Sequence, residues 1–259
     1  MQLCVFAQNA PLLKEVKVLH DSATDFSVDN LANIFLLNGD GQLKKIDGNY
    51  DSVGIFNDVR KHGKLYSIDA SNPLKLILFY KDFNTVVVLD RFLNIRNKID
   101  LRQSGIFQVS TVAPSFDNNI WVFDELDSKI KKIDDNGKLL LESPDFRIIY
   151  DDPPHPMNIV DYNRFVYAYD SSRGLLSMDY FGACKNLIAF KGWHNIQSVA
   201  KGIAATNNKG LVYYQPGQID TEEYALPAYI LQAKKVWLNG TFLYALEEDS
   251  LLHIYQFQQ

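Results

Sequence analysis

Gln42-Leu43-Lys44-Lys45-Ile46-Asp47 and Lys129-Ile130-Lys131-Lys132-Ile133-Asp134 are two copies of one pattern, and the second ends 87 residues after the first. If 87 is two repeats, another copy belongs near residue 90. Val86-Val87-Val88-Leu89-Asp90 stands there, and Leu175-Leu176-Ser177-Met178-Asp179 follows one repeat beyond the second copy. Four runs therefore close on an apolar residue and an aspartate at 47, 90, 134 and 179, spaced 43, 44 and 45 residues apart.

A second series runs about ten residues ahead of the first: Asn33–Leu37, Leu76–Tyr80, Asn119–Phe123, Arg164–Tyr169, Gly202–Thr206 and Thr241–Leu246. These six runs are almost continuously apolar, as a strand is when both of its faces are covered. The first series mixes polar and apolar residues and is read as lying partly in water. Its lysine pairs, Lys44-Lys45 and Lys131-Lys132, with Lys234-Lys235 further on, are read as solvated outer-strand positions. Asn38–Gly41, Asp134–Gly137, Ser171–Gly174, Asn207–Gly210 and Asn239-Gly240 join the runs with residues that tolerate positive φ, as hairpins require. No stretch shows helical periodicity beside helix caps. A four-stranded unit of about 40–45 residues, repeated six times, predicts an all-β six-bladed β-propeller. The last blade has three strands of its own. Leu12–Leu19 alternates well enough to supply the fourth, so the N-terminal strand is expected to close that blade and remove two exposed edges. Asp151-Asp152-Pro153-Pro154-His155-Pro156 lengthens the link between the third and fourth blades, and its prolines exclude regular strand.

The 259 residues suit a single domain, read as residues 8–259. Hydrophobic residues make up 47 %, which excludes disorder, and the 13 % of aromatics favours strands. A net charge of −5 with scattered lysine pairs excludes a nucleic-acid footprint. Residues 1–7 read as the last part of a secretory signal, with Val5 and Ala7 at the −3 and −1 positions of a cut before Gln8. Export to the periplasm or cell envelope is the expectation. No later run approaches the roughly 18 apolar residues of a membrane helix. Removal of Cys4 with the signal leaves Cys184 as the single thiol, read as a small buried hydrophobe.

The apolar-Asp-x-x-Gly rhythm, clearest at Ile133-Asp134-Asp135-Asn136-Gly137-Lys138-Leu139, resembles that of six-bladed propellers of the NHL and TolB-like kind. Ser71–Asn84 in the second blade resembles a group of exported bacterial propeller proteins of unassigned activity. The resemblance implies an envelope propeller and no particular reaction. The Gly-His and Trp-Asp pairs of WD40 blades and the double glycines of kelch blades are missing.

An axial cation needs oxygen ligands converging from several blades. Asp69, Asn72, Asn158 and Asp161 are the candidates, but they do not fall at equivalent blade positions, so no metal is expected. His20, His62, His155, His194 and His253 form no spaced ligand pair. There is no Gly-x-Ser-x-Gly elbow and no phosphate loop, so neither catalytic residues nor a cofactor is expected. Asn239-Gly240-Thr241 fits a glycosylation sequon and is fully explained as a hairpin. Two contact candidates stand out: Pro154 and His155 in a rigid proline loop, and Trp193 with His194 in a blade connection. The sequence thus points to a non-catalytic exported propeller that binds another envelope protein or acts as a scaffold. The alternatives are a hydrolase or lyase with an axial site, and a sensor of small molecules or glycans.

Overall fold

A computed structural model describes residues 12–218 and 220–258; the segment read as a signal lies outside them. The N-terminal strand is β1 (Leu13–Leu19). The first blade contains β2 (Asp25–Val28), β3 (Ile34–Leu37), β4 (Leu43–Ile46) and β5 (Ser52–Phe56). The second contains β6 (Ser67–Asn72), β7 (Lys75–Tyr80), β8 (Thr85–Leu89) and β9 (Ile95–Asp100). The third contains β10 (Val109–Pro114), β11 (Ile120–Asp124), β12 (Lys129–Ile133) and β13 (Leu139–Glu142). The fourth contains β14 (Asn158–Tyr162), β15 (Phe165–Asp170), β16 (Gly174–Asp179) and β17 (Cys184–Ile188). The fifth contains β18 (His194–Val199), β19 (Gly202–Thr206), β20 (Gly210–Tyr214) and β21 (Glu222–Ala225). The sixth has β22 (Lys235–Asn239), β23 (Phe242–Leu246) and β24 (Leu252–Phe257), and β1 pairs antiparallel with β24 to complete it. Six antiparallel sheets of four strands make the chain a six-bladed β-propeller whose last blade is closed by the N-terminal strand.

Two compact units emerge. Residues 23–192 hold the first four blades, and residues up to 22 with those from 193 onward hold the last two. In the four-blade unit the core lies between neighbouring sheets. Successive side chains of a strand point to opposite faces. Leu76, Leu78 and Tyr80 of β7 therefore pack with Phe35, Leu37 and Leu43 of the first blade. Ile77 and Phe79 pack with Val109, Ile120 and Val122 of the third. Along β11, Ile120 and Val122 face the second blade, while Trp121 and Phe123 face Val166 and Leu176 of the fourth. This is why the second strands read as unbroken apolar runs: each serves two cores. Each such side chain contributes about 1.5–3 kcal/mol by leaving water. In the two-blade unit Leu226, Val236, Leu243 and Tyr255 form the corresponding cluster, with Leu13 of β1 against it.

Two expectations are corrected. The strands ending in apolar-Asp are third strands, and they are buried, as are Lys45, Lys131 and Lys132. Lysine stems fill apolar space, and their ammonium groups are satisfied inside. Lys131 Nζ lies 2.7 Å from Asp124, itself buried, and also contacts Asp127. Burial opposes the charge on Lys131, but these two carboxylates outweigh it and raise its pKa. Lys45 Nζ donates to the Arg91 carbonyl at 2.7 Å and sits 5.6 Å from the Phe35 ring centre. Helical turns also occur in the links between blades: α1 (Val59–His62), α2 (Phe146–Ile149) and α3 (Ala228–Leu231). Single turns are too short to show periodicity, and α2 is fixed by Asp145, whose carboxylate accepts from the Arg147 N–H at 2.9 Å.

The closure of the last blade carries its own ionic clasp. His253 of β24 places Nδ1 2.7 Å from Glu15 of β1 and Nε2 3.1 Å from Asp249. Burial opposes a charge on His253, but the hydrogen bonds to Glu15 and Asp249, with Glu247 nearby, raise its pKa. Stability from this group is full below the ordinary imidazole value of about 6.5 and is lost as pH rises through the raised folded value. Asp249 is held low by the Leu251 N–H and by His253, so its share is lost only as pH falls through that depressed value. His253→Gln should therefore lower Tm near about pH 6 and have little effect near about pH 9. A second test concerns the sheet itself. A Cβ on Gly210 would overlap the Tyr224 carbonyl oxygen of the paired strand, whereas Gly39 has open space. Thermal melts should show Gly210→Ala lowering Tm by about 5 °C or more and Gly39→Ala changing it little.

Candidate functional site

In a four-stranded meander the first and third hairpins leave one end of the sheet and the second leaves the other. Within residues 23–192, the first and third hairpins of successive blades are tied to one another. Lys45 of the first blade donates to the Arg91 carbonyl in the second. Asn72 Nδ2 donates to Asn118 Oδ1 of the third at 3.3 Å, and the buried Lys75 bonds the Asn118 carbonyl and Asp135. Ser115 of the third blade reaches Asp161 of the fourth. We call this end the hairpin end.

The third hairpins explain the repeating aspartate. Asp47 Oδ1 accepts the N–H groups of Asn49 and Asp51, both at 2.9 Å. Asp90 does the same for Phe92 and Asn94, Asp134 for Asn136 and Lys138, and Asp179 for Phe181 and Ala183, all between 2.8 and 3.0 Å. The fourth residue of each turn is left-handed: Tyr50, Leu93, Gly137 and Gly182. Only two of the four blades use the residue that adopts this conformation freely, and the side-chain cap holds the other two. At Asp90 burial opposes ionisation, but the Asn94 and Phe92 donors hold the group below its ordinary value. Asp179 is lowered chiefly by Lys185, 2.8 Å away.

The first hairpin of the third blade is built around Asp161. Its Oδ2 accepts from Trp121 Nε1 at 2.9 Å and from Ser115 Oγ and the Phe116 N–H at 3.2 Å. Its Oδ1 accepts the Tyr180 hydroxyl. Phe116 lies flat on Tyr180, with ring centres 4.5 Å apart and planes 5° apart. Lys132 Nζ sits 4.8 Å from the Trp121 ring centre, 5.3 Å from Phe116 and 5.7 Å from Tyr180, and pairs with Asp117 at 2.5 Å. A cage of aromatic faces is thus filled by the protein's own ammonium. Burial raises the Tyr180 pKa, and its bond to Asp161 adds to the effect. Burial opposes ionisation of Asp117, but Lys132, Ser115 and Asn119 hold it low. Neither group is poised to exchange a proton near neutrality. The arrangement fixes shape.

From this braced base project Leu31, Leu74 and Phe116 on the first hairpins and Phe92 and Phe181 on the third, each between 60 % and 87 % exposed. Sequence reading missed them. The available signal was Asp90-Arg91-Phe92 and Asp179-Tyr180-Phe181, where the other two blades carry Asn49 and Asn136 at the turn.

The sequence candidates lie elsewhere. Pro154 is buried and His155 is exposed, its N–H bonded to Asp170 Oδ2 at 2.7 Å; Pro156 accepts from Ser110 Oγ at 2.5 Å. This proline loop belongs to the connecting end of the fourth blade, opposite its first and third hairpins. Trp193 is 5 % exposed, and His194 opens β18 exposed to solvent. Of the oxygen candidates, Asp69 accepts the Ser71 N–H, Asn72 binds Leu74 and Asn118, and Asp161 is surrounded by donors. Among the described residues no three His, Cys, Asp or Glu side chains gather to hold a metal ion. Burial raises the pKa of Cys184 to about 11, which keeps its thiol protonated.

No protein-family model and no curated protein sequence matches the chain. Solved structures do. Virginiamycin B lyase from Staphylococcus aureus aligns over 95 % of this chain and 99 % of its own, at 10 % identity and TM-score 0.63. The WD40 domain of Neurospora crassa Pan2 covers 97 % of each chain at 10 % identity and TM-score 0.61. BBS1N, solved in complex with ARL6DN, covers 96 % of this chain and 97 % of its own at 12 % identity and TM-score 0.60. At such identities the likeness is one of fold, and the fold it supports is a β-propeller.

If Asp161 is the brace of the hairpin end, Asp161→Asn faces a donor with a donor and should cost roughly 1–3 kcal/mol in urea unfolding. Tyr180→Phe should cost about 1 kcal/mol, and Phe116→Ser, mostly exposed, less than about 1 kcal/mol. Equal losses from all three would show that the brace is not Asp161.

Proposed function

We propose that this protein is a non-catalytic binding module whose ligand is another protein, exported and acting as a scaffold in a bacterial cell-envelope assembly. The observation that carries the reading is the set of five large apolar side chains standing in solvent on braced hairpins at one end of residues 23–192. Contiguous exposed apolar surface marks interaction sites, and aromatic anchors dominate binding energy. Turns already fixed by carboxylate caps lose little freedom on binding, which favours affinity. The nearby tyrosine and carboxylates are engaged in bracing, which supports binding over catalysis. The export half of the reading rests on Val5-Phe6-Ala7 before Gln8. No helix among the described residues is long and apolar enough to cross a membrane.

The tagged full chain should be crosslinked in its own cells and co-purifying proteins identified by mass spectrometry. One dominant partner at near-stoichiometric yield is expected, retained by His155→Ala and reduced about tenfold or more by combined Phe92→Ser, Phe116→Ser and Phe181→Ser. Loss with His155→Ala alone would move the site to the proline loop. Absence of any dominant partner would remove the reading. N-terminal sequencing of the purified protein should begin at Gln8 if export is correct.

A further inference from the structure

We infer that the partner of the hairpin end is acidic: a protein segment presenting carboxylates beside apolar side chains. This rests on the binding reading above and adds the chemistry of the partner. The chain as a whole carries a net charge of −5, so an acidic face would be the default. At this end, however, the carboxylates are engaged. Asp29, Asp47, Asp90, Asp134 and Asp179 hold backbone N–H groups of their own turns. Asp161 is filled by Trp121, Tyr180 and Ser115, while Asp117 and Asp135 are paired with Lys132 and Lys75. Asp51, at the start of the outer strand β5, is exposed with only its backbone bonded.

The cations left exposed are Arg91, Lys138 and Arg164, each on a first or third hairpin and none in an ion pair among the described residues. Each stands beside apolar surface. The Arg91 guanidinium lies 4.6 Å from the Phe92 ring centre, which leaves its donor edge free for a carboxylate. Lys138 precedes the exposed Leu139 and Leu140. Arg164 is held left-handed at its hairpin tip, three residues beyond Asp161, whose carboxylate accepts the hydroxyl of Tyr180, the ring on which Phe116 rests. Arginine and aromatic side chains together are the composition of interface cores. A lipid surface fits less well. Phe116 is covered on one face by Tyr180 and Phe92 by Arg91, so each offers a single fixed face to a matching surface rather than a free ring to insert.

The test pans the full chain against two random peptide libraries, one built from Glu, Leu, Phe and Gly, the other with Lys in place of Glu. Enrichment from the Glu library is expected, with affinity falling as salt rises and about tenfold or more in Arg91→Glu/Arg164→Glu. Enrichment from the Lys library instead would overturn the inference. So would Glu peptides whose binding ignores the charge reversal. In both cases binding that is lost in the Phe92/Phe116/Phe181 variant leaves the binding reading standing. If no peptide from either library discriminates the wild type from that variant, both fail. Phosphatidylcholine vesicles with and without phosphatidylglycerol form the last arm. Binding only to the anionic vesicles, lost in the charge-reversed variant, would assign the cations to a membrane and overturn the acidic-protein inference.

Discussion

A carboxylate that accepts backbone N–H groups two and four residues downstream is the interaction on which most of this molecule depends. It occurs at Asp47, Asp90, Asp134 and Asp179, and each time it turns a third strand back into a fourth. A short side chain acting within five residues is a local device. It can therefore be repeated along a chain whose blades share little other sequence. The period of the sequence is the period of this turn. The spacing survives where the turn residue itself changes from glycine to tyrosine or leucine, because the cap supplies part of what glycine supplies elsewhere.

The second constraint is that a blade has two neighbours. A strand such as β7 cannot be amphipathic when Leu76 and Leu78 belong to one core and Ile77 and Phe79 to the next. Continuous apolarity is the cost of being in the middle of a stack. It also leaves polar needs to be met inside. Lys131 pairs with Asp124 inside the third blade, while Lys132 pairs with Asp117 and lies against Trp121 and Phe116 of its own blade and Tyr180 of the fourth. Such pairs add little net stability, because the cost of removing both charges from water offsets their attraction.

These two constraints decide how much was legible. The blade count, the six second strands and the closure by Leu13–Leu19 followed from period and alternation, which are properties of short windows. The burial of Lys45, Lys131 and Lys132 did not, because a lysine in a strand looks solvated until its partner is placed, and those partners lie on other strands or turns. The hairpin end was hidden for a related reason. Leu31, Leu74 and Phe116 occupy hairpins of different length, and nothing in a one-dimensional reading says that these tips face the same way. Pro154, His155, Trp193 and His194 stand out in the sequence by residue type alone. Trp193 is large enough to prefer the interior, and there it lies.

The pairing of β1 with β24 sets an order on how the protein comes into being. His253 and Glu15 are 238 positions apart in the chain. Chains emerge N-terminus first, and contacts between distant segments are the last to be available. The strands of the first four sheets have all of their sheet partners by residue 192, whereas β1 has no strand to pair with until residues 252–257 exist. Until then the hydrogen-bonding groups of β1 are without their sheet partner, and the last strand to be made is the one that covers them.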